Sequence, residues 1–157
     1  MGIMDWLKNQ STSLQNEVKR FKNRSFMEAA VAGCAMVAAA DGVIRPEEKQ
    51  KMAGFIQRND ALKVFDMNDV IKTFDKFTQG FEFDAQIGKG EALKAIGKVR
   101  KNSEEARLLV RVCCAIGAAD GDFDPDEKKV VRQICRELDL DPADFELGES
   151  SGPNLRK

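Results

Sequence analysis

The chain contains no histidine and no tyrosine. Without histidine there is no Ser-His-Asp or Cys-His pairing, no His-ligated zinc or haem, and no acid–base group poised near neutral pH. Without tyrosine there is no phenolic general acid. Both absences argue against a conventional hydrolase or transferase and favour a non-enzymatic role. An excess of charge of one sign is also missing: 25 basic residues face 26 acidic ones, for a net charge of −1. Nucleic acid is therefore not the expected partner, because phosphate binding usually shows a basic excess. Long apolar runs are missing too. The longest mild candidate, residues 29–40, is mostly alanine and too short to span a bilayer. No apolar signal-peptide core is present at the N-terminus, so the expected location is the cytoplasm.

No C-x-x-C pair occurs among the four cysteines, Cys34, Cys113, Cys114 and Cys135. All four sit in apolar helical patterns, where reduced thiols pack as small hydrophobes. A cysteine-dependent redox or metalloid-handling role is the alternative reading. What the chain does have is size and balance. Its 157 residues, 43% hydrophobic and 32% charged, suffice for one domain with a real core.

Every long segment carries a helical period. Ile3, Leu7, Leu14, Val18 and Phe21 mark an amphipathic stripe through residues 3–22. Ser25 with Glu28 reads as a capping box opening an alanine-rich helix, which Asp41-Gly42 stops. Pro46 suits the first position of a third helix. Asp66 and Asp84 are N-cap candidates for a fourth and a fifth. Gly88, Gly90 and Gly97 weaken the fifth, but small residues there permit close approach of a neighbour. Ser103 starts a sixth helix ending at Asp120-Gly121, Pro125 opens a seventh, and Asp141-Pro142 suggests a short last one. The expected fold is all-α, a compact bundle of seven to eight helices. One domain is expected over residues 1–147, with an amphipathic helix in 1–24 and a tail at 148–157.

The most informative feature is a duplication. Residues 38–49 and 117–128 align at an offset of 79, with seven of twelve positions identical. Ala39, Ala40, Asp41, Gly42, Pro46, Glu48 and Lys49 match their counterparts, and the same register pairs Cys34 with Cys113. The bundle is thus expected to hold two pseudo-symmetric helix–loop–helix halves.

Two readings of the repeated acids stand side by side. Glu47, Glu48, Asp126 and Glu127 fall in a helix's first turn, where the macrodipole favours them, and Asp124 with Glu127 matches a capping box. Asp41 and Asp120 instead sit at helix C-termini, where a carboxylate is disfavoured. Their recurrence asks for compensation, either a lysine partner (Lys49, Lys128) or a cation shared with Glu48 and Glu127. All-oxygen ligands suit calcium, magnesium or manganese. Asp120-x-Asp122-x-Asp124 superficially opens an EF-hand loop. Pro125 and Val131 stand where that loop needs glycine and glutamate, so it is not one. Asp122 and Asp124 remain additional candidate ligands. Lys19, Arg20, Lys22 and Arg24 allow a membrane-surface adaptor role for residues 1–24, or a solvated helix end.

Together these motifs resemble the TerB family of bacterial tellurite-resistance proteins. The carrying residues are Ala39-Ala40-Asp41-Gly42 with Glu47-Glu48-Lys49, Leu62-Lys63-Val64-Phe65-Asp66, Phe81-Glu82-Phe83-Asp84 with Ile87-Gly88-Lys89-Gly90-Glu91, and Asp120-Gly121-Asp122-Phe123-Asp124 with Asp126-Glu127-Lys128. The likeness covers about residues 3–147. It implies a helical fold of two similar halves, a role in tellurite resistance and related stress, and no established enzymatic activity. It also implies a metal site at Asp41, Glu48, Asp120 and Glu127. Partners of the same system, an integral membrane protein among them, are implied as well, with contact at the inner face of the membrane.

Overall fold

A computed structural model describes residues 15–59, 61–118, 123–145 and 147. Among these, residues 15–20 form α1. The chain continues through α2 (Arg24–Ala38), α3 (Pro46–Arg58), α4 (Met67–Phe83), α5 (Ala85–Gly97), α6 (Ser103–Gly117) and α7 (Pro125–Glu137). Leu62–Val64 and Pro142–Phe145 are 3₁₀ turns. No strand occurs among the described residues, and the class is all-α as expected.

The organising element is α2. Phe26, Met27 and every residue from Ala29 to Val37 are buried, so it has almost no solvent face. A helix apolar all round must be enclosed on all sides, and α3, α4, α5, α6 and α7 each pack against it. Its alanine, glycine and cysteine content makes this feasible: a Cβ added at Gly33 would strike Cys113 Sγ of α6. Start and stop differ from the expected ones. Asn23 rather than Ser25 is the N-cap, its Oδ1 accepting from Phe26 N–H at 2.8 Å. Asparagine caps as well as serine, and the Asn23 amide also donates to Phe21 O and Glu105, fixing it there. Glu28 is left to pair with Arg24 at 3.2 Å. Helical bonding ends at Ala38, and Asp41-Gly42 lies in the turn beyond, Gly42 taking φ +92°.

Asp66 caps α4 and Asp84 caps α5, as their sequence positions suggest. Asp84 is extended (φ −163°) and ends α4 while accepting from Gln86 N–H and Ile87 N–H at 2.8 and 3.2 Å. One residue therefore joins two packed helices. At their crossing a Cβ on Gly88 would lie 2.5 Å from the Phe81 backbone nitrogen. The sixth helix stops at Gly117, short of the expected Asp120. A Cβ at Gly117 would meet the Phe123 ring at 2.9 Å. Ile44 and Phe123, equivalent at the 79-residue offset, are both buried beneath their turns. α2 and α6 each have 15 residues, α3 and α7 each 13, and all their bounds are offset by 79.

The glycines of α5 give a paired prediction. Gly88→Ala forces atoms into a backbone and destabilises by about 1–3 kcal/mol. Gly90→Ala meets nothing within 4 Å and stabilises by about 0.5–1 kcal/mol through helix propensity. Urea denaturation of both variants should move the midpoints in opposite directions.

Candidate functional site

The turn from α2 into α3 and the start of α7 face each other across a cleft of about 290 Å³. Asp41, Glu48, Asp124, Asp126 and Glu127 line it, together with Lys51. Val37, Met52 and Ile116 form its apolar floor. The structure thus brings Asp41, Glu48, Asp124 and Glu127 from the two repeated motifs into one cavity. Asp120 and Asp122, the other expected ligands, lie outside the described residues. Among the described residues no three acidic or thiol side chains close on a common point.

Each corner has its own local logic. Pro46 opens α3, and Glu48 at its third position accepts from Arg45 N–H at 3.3 Å. Arg45 has no acceptor to return, so only half of a capping box forms. Its guanidinium instead straps the corner, with Nη1 donating to Asp41 Oδ2 at 2.9 Å and reaching both Glu48 oxygens at 3.4 Å. Asp41 also accepts from Val43 N–H at 3.2 Å. At the equivalent position Asp124 completes the box: Oδ1 accepts from Glu127 N–H at 2.8 Å, and Glu127 Oε1 accepts from Asp124 N–H at 3.0 Å. One corner therefore carries its own cation, where the other has a carboxylate at the same register.

The disfavoured carboxylate at the end of α2 is compensated by Arg45. The lysine expected to do so, Lys49, turns away to Asp75 and Glu82 of α4 at 3.2 and 3.7 Å. The periodicity did not reveal this strap, since arginine at 45 is simply a poor cap; the four-residue spacing from Asp41 was its only signal. Hydrogen bonding from Arg45, then from Val43 N–H, holds the Asp41 carboxyl below the usual carboxylate range. The sign follows directly. The contribution is present above the ordinary aspartate value of about 3.9 and is lost as pH falls through the lower folded value. Asp41 and Arg45 are 40% and 49% exposed, so the effect is small. The stability difference between wild type and Asp41→Asn should shrink as pH drops below about 4 in acid denaturation series.

The thiols offer no second chemistry. All four are free and buried. Burial pushes Cys34 and Cys135 up to about 12 and raises Cys113 and Cys114 as well. The thiolate is the nucleophile, so these side chains are inert while the fold is closed. Ellman's reagent should modify none of them in the native chain at pH 8 and all four after unfolding; rapid native labelling would contradict this. Two cations of the basic stretch have intramolecular partners at the surface, Arg20 pairing with Glu104 at 3.6 Å and Arg24 with Glu28 at 3.2 Å. No helix of the described residues is long and apolar enough to cross a membrane.

An all-α protein with an acidic cleft between the starts of α3 and α7 is the class these features define. A family model described as "Tellurite resistance protein TerB" matches residues 27–149. A "Tellurium resistance protein TerB" from Alcaligenes sp. is 43% identical over 116 residues, covering 71% of this chain and 95% of that relative. The chain belongs to the TerB family. No solved structure gives a significant match.

Proposed function

We propose that this TerB-family stress-response protein acts in tellurite resistance as a non-enzymatic module, with a divalent-cation site in the cleft of Asp41, Glu48, Asp124 and Glu127. The observation that carries this reading is that Glu48 and Glu127, equivalent in the two units, line one cavity together with Asp41 and Asp124, with Asp41 and Glu48 bridged by the Arg45 guanidinium. The donors are all oxygen, and neither thiol nor imidazole faces the cleft, which suits calcium, magnesium or manganese rather than zinc. Asp120 and Asp122 are proposed as further donors of the second unit. The arrangement fits a weak site. Arg45 occupies the place between Asp41 and Glu48 that a cation would take, and exposed pairs of this kind are readily exchanged. A bound ion would supply charge neutralisation across the two corners. The chain's own residues orient it, Pro46 and Pro125 fixing the helix starts and Arg45 holding one carboxylate pair ready.

Duplication of one helix–loop–helix unit is the proposed origin of the cleft, supported by the common 79-residue offset of four helices. Four free thiols suit a reducing compartment, and the proposed setting is the cytoplasm, beside protein partners of the resistance system that include an integral membrane protein. The buried thiols weigh against cysteine-based redox or metalloid chemistry. The intramolecular pairs of Arg20 and Arg24 weigh against a membrane-surface adaptor.

Titration with calcium, magnesium and manganese, followed by calorimetry, tests the site. The expected dissociation constant for at least one ion is about 10⁻⁴–10⁻³ M, the range of weak carboxylate sites. Asp41→Asn and Glu127→Gln should weaken it, and Arg45→Gln should tighten it by removing the competing cation. Absence of any saturable response in wild type and in Arg45→Gln would overturn the reading.

A further inference from the structure

A second cavity, of about 320 Å³, opens where α1, α6 and the turn Pro142–Phe145 meet. Arg20, Arg107 and Arg111 reach it, each matched with an acid. Arg20 lies 3.6 Å from Glu104, Arg107 Nη1 lies 3.4 Å from Asp144, and Arg111 Nη1 lies 2.8 Å from Glu17. The first two pairs are exposed at the rim. Arg111 is different, with only 13% of its side chain exposed. Its Nε and Nη2 are buried, and neither meets an acceptor among the described residues.

Those two N–H groups lie side by side on one edge of the planar guanidinium. That edge is the one carboxylates and phosphates grasp with two parallel hydrogen bonds. A buried charged donor without an acceptor costs more than an ordinary unmade hydrogen bond, so a fold that leaves two together has a reason to fill them. We propose that the Nε–Nη2 edge of Arg111 is the fork of an oxyanion site. Its ligand is a small oxyanion presenting two oxygens, of the phosphate or carboxylate kind.

The three acids offset the three arginines, so an anion enters by exchange rather than by net attraction. Glu104 and Asp144 hold their partners in exposed pairs, which contribute little and yield readily. Once released, Arg20 and Arg107 face the cavity with their guanidinium groups still stacked on Phe21 and Phe145, at 5.5 and 5.3 Å from the ring centroids. Glu17 stays on Nη1 and keeps the Arg111 plane fixed. The site is separate from the carboxylate cleft and does not depend on it.

Arginine Nε–H resonances of the full ¹⁵N-labelled chain test this, in titrations with inorganic phosphate, acetate and chloride at constant ionic strength. The Arg111 Nε–H, assigned by its loss in Arg111→Lys, should move saturably with phosphate and stay still with chloride. A response to acetate as well places planar carboxylates among the ligands, and a response to phosphate alone restricts the site to tetrahedral ones. Arg107→Gln should weaken phosphate binding about tenfold, the loss of one charge-assisted hydrogen bond. Arg111→Lys keeps the charge and should abolish the saturable response. If that variant does not fold, the arginine Nε–H spectrum of the wild type decides alone, through a phosphate-specific shift. No saturable shift with either oxyanion, an equal shift with chloride, or wild-type binding by folded Arg111→Lys would overturn the proposal.

Discussion

The structure depends on enclosing one helix with almost no polar face. α2 buries an unbroken run from Ala29 to Val37, so it is stable only while its neighbours exclude water from every side. Side-chain size sets how closely they come. Alanine dominates where neighbours crowd in, and Gly33 sits where the Cys113 sulfur of α6 passes. The same constraint explains the thiols. Cys34 and Cys113 occupy equivalent places on the two inner helices and act there as small apolar side chains.

Once the inner helices are packed, their ends determine the acidic cleft. α2 and α6 both terminate near the same face, and α3 and α7 both restart there with proline and an acidic first turn. The carboxylates are thus brought together by the packing of four helix ends, while each acid also has a local task. Glu127 closes a capping box with Asp124, and Glu48 closes half of one. Those tasks stabilise the helix starts by roughly 1 kcal/mol per cap and hold the carboxylates in defined places. The proposed binding role is therefore compatible with the structural one at these positions. The asymmetry between Arg45 and Asp124 is what separates the two corners electrostatically.

Much of the fold was legible because it is written locally. Asp66, Asp84, Pro46, Pro125 and Asp124 act where their neighbours in sequence say they should, since capping uses only the next three residues. Asn23 was missed because two good caps stand two residues apart, and contacts with Glu105 of another helix decide between them. Gly88 and Gly90 look alike in sequence, yet one meets a backbone and the other open space. In the site, the repeat pairs Glu48 with Glu127, and these two line the same cleft. The Arg45 strap depends on how the Asp41-Gly42 turn aims a long side chain, which periodicity does not encode. Arg111 was invisible because its burial and its unmet donors arise only when α1 and α6 pack together.

The central claim is that the two corners form one cation-binding cleft. Paramagnetic line broadening by Mn²⁺ in amide spectra of the full chain tests it most directly. Broadening that begins together around residues 41–48 and 124–127, and spares α4 and α5, is the predicted result. Broadening at one corner alone, or spread evenly over the acidic surface, would contradict the account.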